Sequence, residues 1–248
     1  MFLKSNLILF ILVFCSTFAF TESPYQQLLS KHVKNSKVNY VAIKKDVAEL
    51  NKIIDQYKTV NPQTMTLLQK KAFWINAYNA CTLKLIVDYF PLKSINDIPK
   101  SKRWDHVRWN INGKNYSLND MEHKILRKMG DPRIHFAINC ASYSCPDLSS
   151  EEYSAISLDK QLEHAKNHFF SNTKKGVLLK TESSFFGGKS KVLYLSPIFK
   201  WFSVDFNEHS GSVEKYIRKN ANSPLTENLK KSPSIKIKWL DYDWSLNK

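Results

Sequence analysis

The sequence predicts an α+β fold: a single domain in which a long buried central helix, an antiparallel hairpin and a short sheet are packed by further helices. Three observations predict it. Residues 65–90 are apolar nearly all round a helical projection, as a buried helix requires. Asn112-Gly113 follows the alternating Val107, Trp109 and Ile111, the pattern of a two-residue hairpin. Strands and helices elsewhere follow no regular β-α alternation, which argues against a doubly wound parallel sheet.

Residues 25–32 and 41–57 have amphipathic helical spacing and are split by a turn-like 34–37. Asn61-Pro62 breaks the chain before the central helix, and Pro91 ends that helix because proline cannot continue it. The hairpin spans 104–117. Residues 118–129 return to helical spacing and stop at Gly130-Asp131-Pro132. Residues 133–139 read as a short strand, with Ile134, Phe136 and Ile138 on one face. A helix over 158–170 precedes two strands, 176–180 and 191–195, flanking a loop with Gly187-Gly188. Ser196 caps and Pro197 opens a helix running to Phe206. A helix over 212–219 and a strand over 235–242 follow.

Residues 1–19 carry the order of a cleavable secretory signal: Lys4 as an early charge, an apolar run from Leu7 to Cys15, then Thr17 and Ala19 at an A-x-A-like cleavage site. The run is shorter than the roughly 20 apolar residues of a membrane span. Bulky Phe14 argues against a lipid on Cys15. The expectation is an exported protein, periplasmic or secreted, whose single domain covers 20–248. Its 43% hydrophobic and 13% aromatic content suffices for a packed core. The net charge of +15 comes from lysines scattered in ones and twos. Without an arginine-rich helix or a stacking-aromatic module, that charge argues against nucleic acid as a partner. It suits a solvated surface, or loose attraction to anionic envelope polymers or lipid head groups. No Gly-x-Gly-x-x-Gly, phosphate-binding glycine loop or Gly-x-Ser-x-Gly occurs, so no cofactor is implied.

Several residues stand where chemistry or a structural tie is needed. Asn79 falls in the apolar stripe of the central helix, where a buried amide either orients a catalytic His or ties down a neighbouring loop. Glu122 projects among Leu118, Met121, Ile125 and Met129, so it must be paired, hydrogen-bonded or raised in pKa. His123 is at the edge of that face. Of four cysteines, Cys15 leaves with the signal, and Cys81, Cys140 and Cys145 remain, so at most one disulfide forms. Cys81 reads as a small packing residue. Cys140 opens a small-residue loop at the end of the expected strand, a recurrent position for a nucleophile. A working thiol needs a base. In a strand His135 points away from Cys140, so it serves only if the chain turns at Asn139; His123 or His106 are the other candidates. The competing readings are a Cys140–Cys145 disulfide and inert buried cysteines. His164 and His168 stand at i, i+4, but lack the intervening acid and any Cys-x-x-Cys partner, so no metal site is assigned.

Several blocks in order resemble the domain-of-unknown-function 547 family. They are Phe73-Trp74-Ile75-Asn76-Ala77-Tyr78-Asn79-Ala80, Ser117-Leu118-Asn119-Asp120-Met121-Glu122-His123, Ile125-Leu126-Arg127, Asp131-Pro132-Arg133-Ile134-His135 through Ser142, Ser144-Cys145-Pro146, and Tyr242-Asp243-Trp244-Ser245-Leu246-Asn247. The similarity runs from about Gln69 to the C-terminus. It implies a widely distributed domain without an agreed activity, often exported in bacteria. Some eukaryotic relatives carry glutaredoxin-like domains, an association compatible with thiol chemistry. The resemblance marks Asn79, Glu122, His123, His135, Cys140 and Cys145 without assigning their roles. The leading expectation is a thiol-dependent hydrolase or acyl-transferring enzyme acting on a peptide-like envelope substrate. Cys140 would be the nucleophile, His135 or His123 the base, and Asn79 or Glu122 the orienter, with Cys145 as alternative nucleophile or disulfide partner. The rival is a non-catalytic envelope binding or scaffold module closed by the Cys140–Cys145 disulfide.

Overall fold

Short polar caps set where the helices start. In the computed structural model, which describes residues 22–183 and 188–248, Ser23 accepts from the Gln26 N–H and opens α1, Pro24–His32. The signal expected over 1–19 lies outside the described residues, as does Gly187 of the expected loop. The segment read as a turn at 34–37 is a small antiparallel ribbon, β1 (Val33–Lys34) with β2 (Lys37–Val38). The helix expected over 41–57 is two helices, α2 (Tyr40–Lys45) and α3 (Val47–Gln56). Their break is Asp46, whose carboxylate reaches Lys31 at 2.7 Å and whose backbone leaves the helical region. A reciprocal cap between Thr66 and Gln69 then starts α4, Leu67–Tyr89.

The expected hairpin forms from β3 (Trp109–Ile111) and β4 (Lys114–Tyr116). Asn112 and Gly113 both take positive φ, 48° and 77°, the backbone that a two-residue turn of this hand requires. Residues 120–126 are π-helical rather than α-helical. Pro132–Phe136, which overlaps the strand expected over 133–139, is a 3₁₀ helix opened by the Asp131 carboxylate, which accepts from the Arg133 N–H. The alternation of Ile134, Phe136 and Ile138 misled because His135 and Ala137 between them are buried too, so the segment has no solvent face.

The second half contains α5 (Leu158–Ser171), β5 (Val177–Ser183) and β6 (Lys189–Leu195). Gly176 lets the chain turn off α5: a Cβ there would meet the Phe169 carbonyl oxygen at 1.8 Å. The helix expected from Pro197 to Phe206 is two short ones, α6 (Ile198–Trp201) and α7 (Ser203–Ser210). They are followed by α8 (Val213–Asn220), α9 (Leu225–Lys230) and β7 (Lys236–Trp239). The sheet order is β5-β6-β7, with β6 antiparallel to β5 and parallel to β7. The fold is α+β, as expected. Its buried residues form two clusters. One gathers α1 to α3 around Trp74, Ile75, Leu85 and Ile86 of α4; the other is aromatic, built from Phe136, Phe169, Phe199, Phe206 and Tyr216. Among the described residues no helix is long and apolar enough to cross a membrane.

Asp131 ties the 3₁₀ segment to α4. It accepts from buried Lys71 at 3.0 Å and from Arg133 at 3.0 and 3.1 Å. Burial pushes its carboxyl up, but the hydrogen bonds and charges of Arg133 and Lys71 outweigh this and hold it at about 2. A carboxylate depressed on folding adds stability above its unfolded pKa and loses it as pH falls through the folded one. About 2 kcal/mol of stability is therefore expected to disappear between roughly pH 4 and pH 2. Asp131→Asn should be less stable at pH 7, because Lys71 loses its partner, and should lose about 2 kcal/mol less than the parent protein across that window. Urea denaturation of both proteins across this range checks it; parallel pH profiles would refute the tie.

Candidate active site

The loop carrying Cys140 is held by three asparagines. Asn79, buried at the middle of α4, donates from Nδ2 to the Ala137 carbonyl at 2.9 Å and accepts the Asn139 N–H at 2.8 Å. Asn139 donates to the Pro146 carbonyl at 2.6 Å and accepts the Ala141 N–H at 2.8 Å, closing residues 139–146 into a loop. Asn247 reaches Asn139 from the C-terminal segment at 3.3 Å. Ala141 sits in the left-handed region at φ 64°, a conformation that costs a non-glycine residue energy and needs such a frame to persist. The C-terminal segment runs antiparallel along the loop. Tyr143 N–H donates to Ser245 O at 2.6 Å, and Ser144 N–H to Asp243 O at 3.1 Å. That pairing delivers Tyr242 and Trp244 beside Cys140.

Cys140 is half-buried and Cys145 is buried; both are free thiols. The Cys140 N–H donates to Cys145 Sγ at 2.9 Å. Cys140 Sγ lies 3.0 Å from Ser142 Oγ and 3.2 Å from the Tyr242 hydroxyl, and those two oxygens are 3.0 Å apart. Hydrogen bonds from Cys145, then Ser142 and Tyr242, lower the Cys140 thiol below its ordinary range although burial works against them. Burial, and then the neighbouring Cys140, push Cys145 well up. The pair is therefore asymmetric: Cys140 is the more readily ionised of the two and Cys145 the one that holds its proton. Burial and the charge at Cys140 likewise raise Tyr242, which stays a donor.

Glu122 projects from the π-helical segment and is buried, with the Tyr78 hydroxyl donating to it at 3.2 Å. Burial pushes its carboxyl up to about 7, helped by the charge at Cys140 and opposed by Tyr78 and Arg127. A π-helical stretch often marks a functional site; here it coincides with this carboxyl.

His135 does not bond Cys140. Its Nε2 lies 2.7 Å from Asp205 Oδ2, and its ring stacks on Phe202 at 4.0 Å between centroids. Asp205 also grips Arg127 at 2.7 and 2.6 Å. Burial would raise Asp205, but the hydrogen bonds from Arg127 and His135 hold it far below the usual carboxylate range. Burial lowers His135 in spite of Asp205. The imidazole is thus neutral, its proton on Nε2 towards Asp205, and its buried Nδ1 has no partner among the described residues. His123 Nδ1 is 3.1 Å from Arg127, which donates to it, and burial lowers His123 as well.

Glu122, His123, His135, Cys140 and Cys145 all line one cavity of about 210 Å³, together with Tyr78 and a wall of aromatic rings. Asn79 acts from behind this cavity, on the loop backbone. His106 is not among the lining residues. His164 and His168 lie in a different cleft, where His168 Nε2 is 2.7 Å from Asp147. Cys81 is buried in the first core. The sequence reasoning missed Tyr78, Ser142 and Asp205, and it did not join Tyr242 to Cys140. Tyr242 had a signal, the closing Tyr242-Asp243-Trp244 block; Asp205 had none. Chemically, the cavity offers a thiol lowered below its ordinary range, a carboxyl raised to about 7, and an imidazole nitrogen free to accept a hydrogen bond.

Residues 62–170 match a family model described as Protein of unknown function, DUF547. The match takes in Asn79, Glu122, His123, His135, Cys140 and Cys145, and ends before Asp205, Tyr242 and Trp244. No curated protein and no solved structure matches the chain.

Proposed function

Since the chain is a DUF547 domain-containing protein, and that description names no reaction, we propose its function from the site itself: thiol-dependent acyl transfer or hydrolysis with Cys140 as nucleophile. The observation that carries this reading is the placing of Cys140 Sγ at 3.0 Å from Ser142 Oγ and 3.2 Å from the Tyr242 hydroxyl, in the same cavity as buried Glu122, a setting that lowers the thiol and raises the carboxyl. A thiolate is the reactive form of cysteine. Cys140 Sγ attacks the carbonyl carbon, the C–S bond forms, and the bond to the leaving oxygen or nitrogen breaks. Neutral Glu122 gives its proton to the leaving group. Water or an acceptor amine or hydroxyl then attacks the thioester, Glu122 carboxylate takes up its proton, and Cys140 leaves as thiolate. His135 Nδ1, oriented by Asp205, accepts a hydrogen bond from a substrate N–H or from the incoming nucleophile. The proton chemistry that the sequence reading gave to a histidine goes here to Glu122.

The signal-like residues 1–19 support export, and with it a peptide-like substrate in the cell envelope. The basic surface is compatible with loose attraction to anionic polymers or lipid there. The rival reading, a binding module closed by a Cys140–Cys145 disulfide, is favoured by the nearness of the two residues, with the Cys140 N–H 2.9 Å from Cys145 Sγ. Iodoacetamide labelling separates the two. Cys140 is expected to label faster than Cys145 and Cys81, with a rate midpoint below the free-thiol value of about 8.5. Tyr242→Phe should move that midpoint up. If neither Cys140 nor Cys145 labels until reductant is added, the disulfide reading takes over.

A further inference from the structure

Beside Cys140, Glu122 and the two histidines, most of the cavity's lining is aromatic or aliphatic, with Trp104, Trp201, Phe202, Tyr242, Trp244 and Ile198 among it. Trp201 and Trp244 stack at 5.8 Å with 24° between their planes. Tyr242 is tilted to both, by 54° and 50°, and Trp104 meets Trp244 at 63°. Rings at two such orientations make a concave corner, not the flat face on which a sugar ring lies. Trp201 is 48% exposed, a large apolar surface that nothing in this chain covers among the described residues. Asn119, the amide at this end, already donates to Asp105 at 2.6 Å. A polar substituent entering the corner would give up water and find little to bond in return.

We infer that the aromatic corner of Trp104, Trp201, Tyr242 and Trp244 holds the acyl group of the substrate, and that this group is an uncharged hydrocarbon chain or ring. The inference rests on the thiol reading, because the group that occupies the corner is the one joined to Cys140 in the thioester. Size agrees with chemistry. An apolar cavity of about 150 Å³ takes a benzene ring, so the whole cavity of about 210 Å³, which also holds the reacting atoms, has room in its corner for a group no larger than a phenyl ring or a chain of similar bulk. Two sources supply such a group: the apolar side of an aminoacyl residue in a peptide, and a short fatty acyl chain.

The test uses thioesters of N-acetylcysteamine, whose small polar leaving group is constant while the acyl group varies among acetyl, hexanoyl, phenylacetyl, N-acetylphenylalanyl and glutaryl. Acyl-Cys140 is read by protein mass and peptide mapping, and the acylation rate constant is compared across the series. Hexanoyl and phenylacetyl are expected to exceed acetyl by at least about 30-fold, since each methylene buried against apolar surface adds to binding. Glutaryl should fall below hexanoyl. A preference for N-acetylphenylalanyl over hexanoyl identifies the peptide source; the reverse identifies the fatty source, and either supports the inference. Trp201→Gln, at a half-exposed position that tolerates a polar residue, should lower the hexanoyl-to-acetyl ratio about 10-fold. A second reading needs no turnover: phenylacetamide should quench tryptophan fluorescence of Cys140→Ser saturably, and the same variant with Trp244→Leu should bind it more weakly. Equal rates across the series, or a preference for glutaryl, overturn the inference and leave the thiol reading standing. No acyl-Cys140 with any thioester overturns the thiol reading itself.

Discussion

Cys140→Ala is expected to lose acyl transfer by about a thousand-fold or more, because a covalent nucleophile has no substitute once removed. Fold stability should change little, since Cys140 is half-buried and its sulfur sits at a cavity wall rather than in a core cluster. Cys145→Ala should behave differently. It removes a thiol whose hydrogen bond lowers Cys140, so with a thioester substrate, whose thiolate leaving group needs no acid, the rate falls at low pH and recovers as pH rises to the free-thiol range. Glu122 sets the other limb. With its carboxyl near 7, thiolate and neutral acid coexist only below that value, and the acylation rate for an amine or alcohol leaving group should decline above it. Glu122→Gln removes this limb and lowers the plateau, because an amide cannot donate the proton. Pre-steady-state acylation measured from pH 5 to 9 checks all three variants. Full turnover by Cys140→Ala would end the nucleophile assignment.

Asn79→Leu is expected to cost about 3 kcal/mol, the sum of two buried backbone groups left without partners at roughly 1–3 kcal/mol each. The stranded groups are the Ala137 carbonyl and the Asn139 N–H. The effect should reach the site as well. Asn139 holds the Cys140 loop, so freeing its backbone loosens the geometry that brings Ser142 and Tyr242 to the sulfur, and Cys140 should label more slowly at neutral pH. Equilibrium urea unfolding gives the first number and alkylation kinetics the second. A variant with unchanged midpoint in both would show that this amide is dispensable to the loop.

Much of this arrangement was readable along the chain. The breaks at Asn61-Pro62 and Pro91, the apolar faces of α4 and the Asn112-Gly113 turn are local features, decided within a few residues of themselves. The same holds for the anomalies. An amide in an apolar stripe and a carboxylate among methionines must find partners wherever the chain folds, so Asn79 and Glu122 stood out before their partners were known. The split of residues 41–57 was not readable, because Asp46 breaks the helix while its carboxylate reaches across to Lys31. Nor was the parallel pairing of β6 with β7, which closes across four intervening helices.

The sequence by itself determined the α+β class, the central helix, two polar residues that could not be left unpartnered, Asn79 and Glu122, and the candidate reactive ones, His135, Cys140 and Cys145. Only the tertiary structure decided who pairs with whom. It turned 132–136 into a 3₁₀ helix because every side of 134–138 is buried, and so brought His135 to the cavity that Cys140 lines. It gave His135 to Asp205 rather than to the thiol, and supplied Tyr242 from the other end of the chain as the donor to Cys140. The physical reason is range. Capping, periodicity and turn chemistry act over three or four residues, whereas the 70 residues between His135 and Asp205 and the 102 between Cys140 and Tyr242 are closed by packing of the whole domain.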